Sequence, residues 1–137
     1  MGLDMYAHSV KADLKGKEVD IVYKELFEDV EMAYQDGLIN QDFAYWRKFN
    51  NLHGWMHRLY DSKGGADSDF NCVNVNLNLE DLAQLEKDAA GLEPTGGFFF
   101  GSCDAMTVQD VEEVQEFVAR AKAEIADGRV VLYSSWW

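Results

Sequence analysis

Apolar positions recur with two different periods along this chain, and the period names the element. LDMYAHSV, residues 3–10, alternates imperfectly and predicts a first strand, followed by a turn at LKGK, 14–17. From Val19 the apolar residues fall at Val19, Val22, Tyr23, Leu26, Phe27, Val30, Ala33 and Tyr34. That i, i+3, i+4 spacing predicts an amphipathic helix over about 18–36, stopped by Gly37. A strand at 18–23 followed by a shorter helix is the competing reading. Asn40 then reads as the cap of a second helix over about 41–60, with Tyr45, Phe49, Leu52, Met56, Leu59 and Tyr60 as its buried stripe.

The second half is punctuated more clearly. DSKGGADSDFN, 61–71, is a loop by composition, and CVNVNL, 72–77, alternates cleanly as a half-buried strand. Asn78 with Asp81 predicts a capped helix over about 79–90, ended by Gly91. Phe98, Phe99 and Phe100 predict a very short strand. Thr107 with Asp110 resembles a capping box opening a helix over about 108–126, closed by Gly128, and 129–137 is the last strand. The order β-α-α-β-α-β-α-β predicts a single α+β domain over 1–137: a small mixed β-sheet packed with three to four helices. With ordered, aromatic-rich sequence at both ends, the first and last strands are expected in one sheet.

Charge changes the picture of possible partners. The chain of 137 residues carries 12 basic and 25 acidic side chains, a net −13, which argues against free nucleic acid as a partner. The imbalance is uneven, with −3 over 1–60 and −10 over 61–137. The acidic half is an ordinary solvated surface or, on a sharper reading, a DNA-mimicking face. Cys72 and Cys103 are too few for a disulfide framework and fit a reducing cytosol. The N-terminus lacks the cationic start and apolar run of a secretory signal, and no apolar stretch is long enough to span a membrane. The expectation is therefore a cytoplasmic protein.

Against that acidity, residues 43–60, FAYWRKFNNLHGWMHRLY, contain no acid. They hold three permanent cations, two histidines and six aromatics. Cations interleaved with flat rings suit a ligand with both phosphate and base, because Arg binds phosphate bidentately and an aromatic ring stacks on a base. A core helix with a basic outer face explains the same residues. On one continuous helix, Arg47, Asn51, Gly54 and Arg58 share a side, and Trp46, Asn50, His53 and His57 form a flank. Gly54 between the arginines suggests a close approach by a ligand or a second copy.

Several chemistries are disfavoured by spacing. His53 and His57 stand i, i+4 as zinc ligands do, but the zincin pattern needs Glu where Gly54 stands, so no metal or other cofactor is expected. The cysteines form no C-x-x-C. Ser102-Cys103-Asp104 carries no nucleophile elbow, and neither a P-loop nor a G-x-G-x-x-G is present. Tyr133 to Trp137 places two indoles at the chain end; on a strand one faces the core and the other faces away from it.

GLDMY at 2–6, YWRK at 45–48 followed by His53 and Trp55, Asn71-Cys72, GFFFGS at 97–102 and the terminal Ser135-Trp136 together resemble a family of small uncharacterised proteins of phages and prophage-bearing bacteria. His57 and Trp137 stand outside the pattern, and residues 24–40 look like an addition to it. The resemblance carries no activity. It implies a viral context, in which small accessory proteins antagonise host defence, some by sequestering nucleotide-derived immune signals. The expectation is a non-catalytic binder, a homo-oligomer, using Trp46, Arg47, His53, Trp55, Arg58, Asn71, Ser135 and Trp136 on a small nucleotide-like ligand. The rival readings are an inhibitor presenting its acidic 104–127 region to a basic host protein, and a small phosphodiesterase using His53.

Overall fold

A computed structural model describes residues 2–93 and 105–137. Four strands, β1 (Asp4–Val10), β2 (Ile39–Arg47), β3 (Asn74–Asn76) and β4 (Val130–Trp136), form one sheet in the order β2-β1-β4-β3. The first and last strands pair along their whole length, from Asp4↔Trp136 to Val10↔Val130. All three pairings are antiparallel, so the α+β class holds with an antiparallel sheet in place of a mixed one.

Strand parity sorts the side chains onto two faces. Leu3, Met5, Ala7, Phe43, Val75, Val131 and Tyr133 join the larger core cluster, beneath α3 (Asn50–Ser62), α4 (Leu79–Asp88) and α5 (Val108–Ala126). Those helices form the closed layer. Both capping boxes are present: Asn78 with Asp81 opens α4, and Thr107 with Asp110 opens α5. The other face is covered only in part. Residues 11–38 cross its far end, where Leu14, Ile21 and Ala33 pack on Val10, Ile39 and Leu132 as a second cluster.

Two expected helices are replaced. Over 18–36 the chain begins with a bridge, Val19↔Val75, and Asp20 takes a left-handed φ of 53° that no helix tolerates. Asn74 then fastens Ile21 by both backbone groups, at 2.7 and 2.9 Å. Only α1 (Tyr23–Leu26) and α2 (Val30–Gln35) remain helical, much nearer the competing strand-then-short-helix reading. Over 41–60 the first third is strand β2. Lys48, at φ 55°, ends it, and the helix starts only at Asn50. Asn40 caps no helix; its Oδ1 accepts from the Asp42 amide inside the strand.

Smaller differences follow from the same fastenings. The strand expected over 72–77 contracts to Asn74–Asn76, because Cys72 takes φ 61°. The loop over 61–71 loses its first two residues to α3 and buries Phe70 completely. The Phe98–Phe100 strand and Ser102-Cys103-Asp104 lie outside the described residues.

Candidate functional site

The change from helix to strand over 39–47 decides where the expected site residues go. Trp46 and Arg47 are neighbours on β2, so they point to opposite faces. Trp46 pairs with Met5 and meets Phe117 edge-on at 4.8 Å, as part of the closed layer. Arg47 pairs with Asp4 on the open face; its side chain is 62% exposed and its guanidinium reaches the Asp4 carboxylate at 4.0 Å. The guanidinium also lies over Gly2, where a Cβ would stand 2.9 Å from its Nη2 and would be accommodated by a small shift of that flexible side chain.

The open face is organised in cross-strand rows. The first runs Arg47–Asp4–Trp136 and the second Tyr45–Tyr6–Ser134–Asn74. Beyond them, His8 faces an irregularity in β2 at 41–43, and the covering segment brings Tyr23 against it. The second row, His8, Tyr23 and Trp136 line an open groove of about 640 Å³. Tyr45 is 55% and Trp136 64% exposed, although large aromatics lose most by standing in water. The Tyr45 hydroxyl donates to Asp4 at 2.6 Å, and this bond raises its pKa. At the inner end His8 Nδ1 lies 2.7 Å from the Tyr23 hydroxyl. Burial lowers the His8 pKa, partly offset by Asp42, so the ring is neutral at pH 7; burial also raises the Tyr23 phenol far beyond its ordinary value. Among the described residues no Lys or Arg lines the groove.

Cations gather around the corner from it. Tyr45 also lines a second cleft of about 410 Å³, together with Arg47, Lys48, Asn50 and Asn51. That cleft sits at the start of α3, whose N-cap is Phe49 and whose first turn holds no acid. A helix N-terminus in that condition carries uncompensated positive charge and favours an anion. Asp110 and Glu113 of α5 stand on its other wall, Asp110 occupied in its capping box.

The remaining expected residues are elsewhere. His53 is 1% exposed: Nδ1 lies 2.8 Å from the Tyr133 hydroxyl and the ring stacks on Phe70. Burial, with a smaller contribution from His57, lowers its pKa to about 4. A ring so enclosed reaches no phosphoester in solvent. Trp55 is buried and donates its indole N–H to Asp88 at 2.9 Å; it lines a third cleft, between α3 and the end of α4, with Arg58 and Lys87. Gly54 is buried within α3, so no ligand or second copy approaches it from solvent. Asn71 clamps the last residue, donating to the Trp137 carbonyl and accepting from its amide. Trp137 accordingly packs inward while Trp136 faces out, as strand alternation predicts. The Ser135 hydroxyl is buried and donates to the Phe70 carbonyl, although its residue borders the groove.

Of the eight expected residues, the structure therefore brings Arg47, Ser135 and Trp136 to one region. Tyr6, Tyr45, His8 and Tyr23 were missed. For Tyr6 and His8 the signal was the alternation at 3–10, which put Asp4, Tyr6 and His8 on one face; Tyr23 and Tyr45 were hidden as apolar positions of the two expected helices. Among the described residues no helix is long and apolar enough to cross a membrane, and no three His, Cys, Asp or Glu residues gather as metal ligands. No family model, curated protein or solved structure matches the chain.

Proposed function

We propose that this protein binds a nucleotide-derived molecule and holds it without transforming it. The reading is carried by Tyr45, which lines both the aromatic groove and the basic cleft, with Arg47 two residues on along the same face. A flat base fits against Tyr6, Tyr45 and Trp136, where stacking contributes about 1–3 kcal/mol. A phosphate fits at Arg47 and Lys48 beside the start of α3. Base and phosphate are the two halves that residues 43–60 suggested, now divided between a strand face and a helix end. In the viral setting implied by the sequence resemblance, such a protein in the host cytoplasm would sequester an immune signal. A homodimer belongs to the same proposal.

The test is equilibrium titration with guanosine and adenosine mono- and cyclic dinucleotides, followed by chromatography of the recovered ligand. Saturable binding that quenches tryptophan emission, is lost in Arg47→Ala and Tyr45→Ala, and returns the nucleotide intact supports the proposal. Turnover, or no binding by any of them, overturns it. A second reading rests on α5, where Glu112, Glu113 and Glu116 are all exposed: an acidic face for a basic host protein. Such a contact would weaken steeply with salt, whereas a stacked, desolvated ligand would not.

A further inference from the structure

The inner end of the groove has a chemical character of its own. Some of its polar groups are already occupied. Asn74 holds Ile21 with both ends of its amide, and His8 Nδ1 is engaged with Tyr23. Asp42 is different. Its backbone amide is bonded to Asn40, but its carboxylate takes part in no hydrogen bond or ion pair among the described residues, although it lines the groove. Gln41 beside it likewise has no side-chain hydrogen bond there. The nearest ionisable ring, His8, is neutral at pH 7 because burial opposes its charge. A carboxylate accepts hydrogen bonds and donates none. Asp42 and Gln41 are exposed, so water solvates them in the free protein. A ligand seated over Asp42 displaces that water and, with no cation lining the groove among the described residues, must replace it with N–H donors of its own.

We infer that the inner end of the groove reads the donor edge of a guanine-type base through Asp42, with Gln41 beside it. This inference rests on the nucleotide reading above. Guanine presents N1–H and the exocyclic N2–H₂ side by side, a pair that a single carboxylate accepts through both oxygens. Adenine presents one exocyclic N–H beside the N1 lone pair, which repels a carboxylate oxygen. Hypoxanthine keeps N1–H and lacks the amino group, so it makes one of the two bonds. With the base edge toward Asp42, the sugar and phosphate lie toward the Trp136–Asp4–Arg47 row, where the cation stands.

The experiment is isothermal titration of the full chain with GMP, IMP and AMP, repeated on D42N. The expected order is GMP tightest, IMP intermediate and AMP weakest, with GMP over AMP by about 10- to 100-fold. In D42N that preference should collapse to within about threefold, because the amide supplies only one acceptor and places a donor beside the base's own donors. The substitution removes no hydrogen bond among the described residues, so D42N should melt with the wild type; the GMP–IMP–AMP series needs no variant at all. Equal affinity for GMP and AMP, or a preference that survives in D42N, overturns the donor-edge inference and leaves nucleotide binding standing. No heat with any of the three overturns the donor-edge inference, and nucleotide binding falls with it when the cyclic dinucleotides also fail to bind.

Discussion

The two faces of the sheet use similar residues to opposite ends. On the closed face, Trp46, His53, Trp55, Phe70 and Tyr133 interlock: Phe70 stacks on His53, His57 and Tyr133 with ring centres 5.2–5.8 Å apart. On the open face, Tyr6, Tyr45 and Trp136 stand in cross-strand rows along an open groove. Aromatic content alone thus carries no functional meaning in this chain. A ring surrounded by rings and aliphatics stabilises the fold, and a ring left on a strand face beside an exposed arginine is available for recognition.

The sharpest way to break this comparison is to remove a ring from each face. Phe70→Ala should cost about 3–5 kcal/mol, since it empties the centre of a fully enclosed stack. Trp46→Ala should cost about 3 kcal/mol by withdrawing the edge-on partner of Phe117. Tyr45→Ala and Trp136→Ala, on the open face, should each shift stability by less than about 1 kcal/mol. Urea unfolding followed by circular dichroism reads all four. If the open-face variants are as damaged as Phe70→Ala, those rings are structural and the groove is packing surface.

How far the sequence disclosed this division depends on the segment. Strands β1 and β4 and helices α4 and α5 were legible because alternation, or a capping residue with its acid three positions on, marks them locally. Residues 39–47 were not. Tyr45, Phe49, Leu52 and Met56 satisfy a helical spacing, and only the pairing of Tyr45 with Tyr6 and Trp46 with Met5 selects the strand. That pairing is non-local, and no window of sequence contains it. Phe70 was hidden for a related reason: its neighbours are polar loop residues, and its burial comes from α3 and β4. The site inherited both errors. Reading 43–60 as one helix put Trp46 in a flank with His53 and Arg47 on a side with Arg58, whereas the strand sends Trp46 into the closed layer and Arg47 to the open face.

Acid sharpens the comparison on the closed side. The folded protein holds His53 at a pKa of about 4, while an unfolded histidine titrates near 6.5. Between those values the unfolded chain binds a proton that the folded chain does not, so stability falls as pH falls from about 6.5 toward 4. The loss amounts to up to about 3 kcal/mol. His53→Gln keeps a hydrogen-bonding group for Tyr133 and removes the titration, so its stability should fall less over the same interval. Urea midpoints measured from pH 7 to 4.5 for both proteins give the answer, and parallel slopes would mean that His53 is protonated without strain.

The smallest change in the fold should produce the clearest change in function. Arg47 is the solvent-facing neighbour of Trp46, and its one ion pair among the described residues, at 4.0 Å to Asp4, is long and largely solvated and so of little worth to stability. Arg47→Ala should therefore melt within about 1 kcal/mol of the wild type. For a ligand with phosphate at this corner, the same substitution removes a charge-assisted hydrogen bond of about 1.5–3 kcal/mol, a loss of about 10- to 100-fold in affinity. Arg47→Lys distinguishes geometry from charge: a fork that grips two oxygens is not replaced by a single ammonium, so lysine should recover only part of the loss. Thermal melts run beside a GMP titration give both numbers for each variant. Normal melting with undiminished binding would reduce Arg47 to a solvated cation and remove the basic half of the site. Early melting would instead place it in the fold, as a partner that Asp4 and the chain's first residues need. Loss of binding at an unchanged melting point is the combination that only a ligand contact produces.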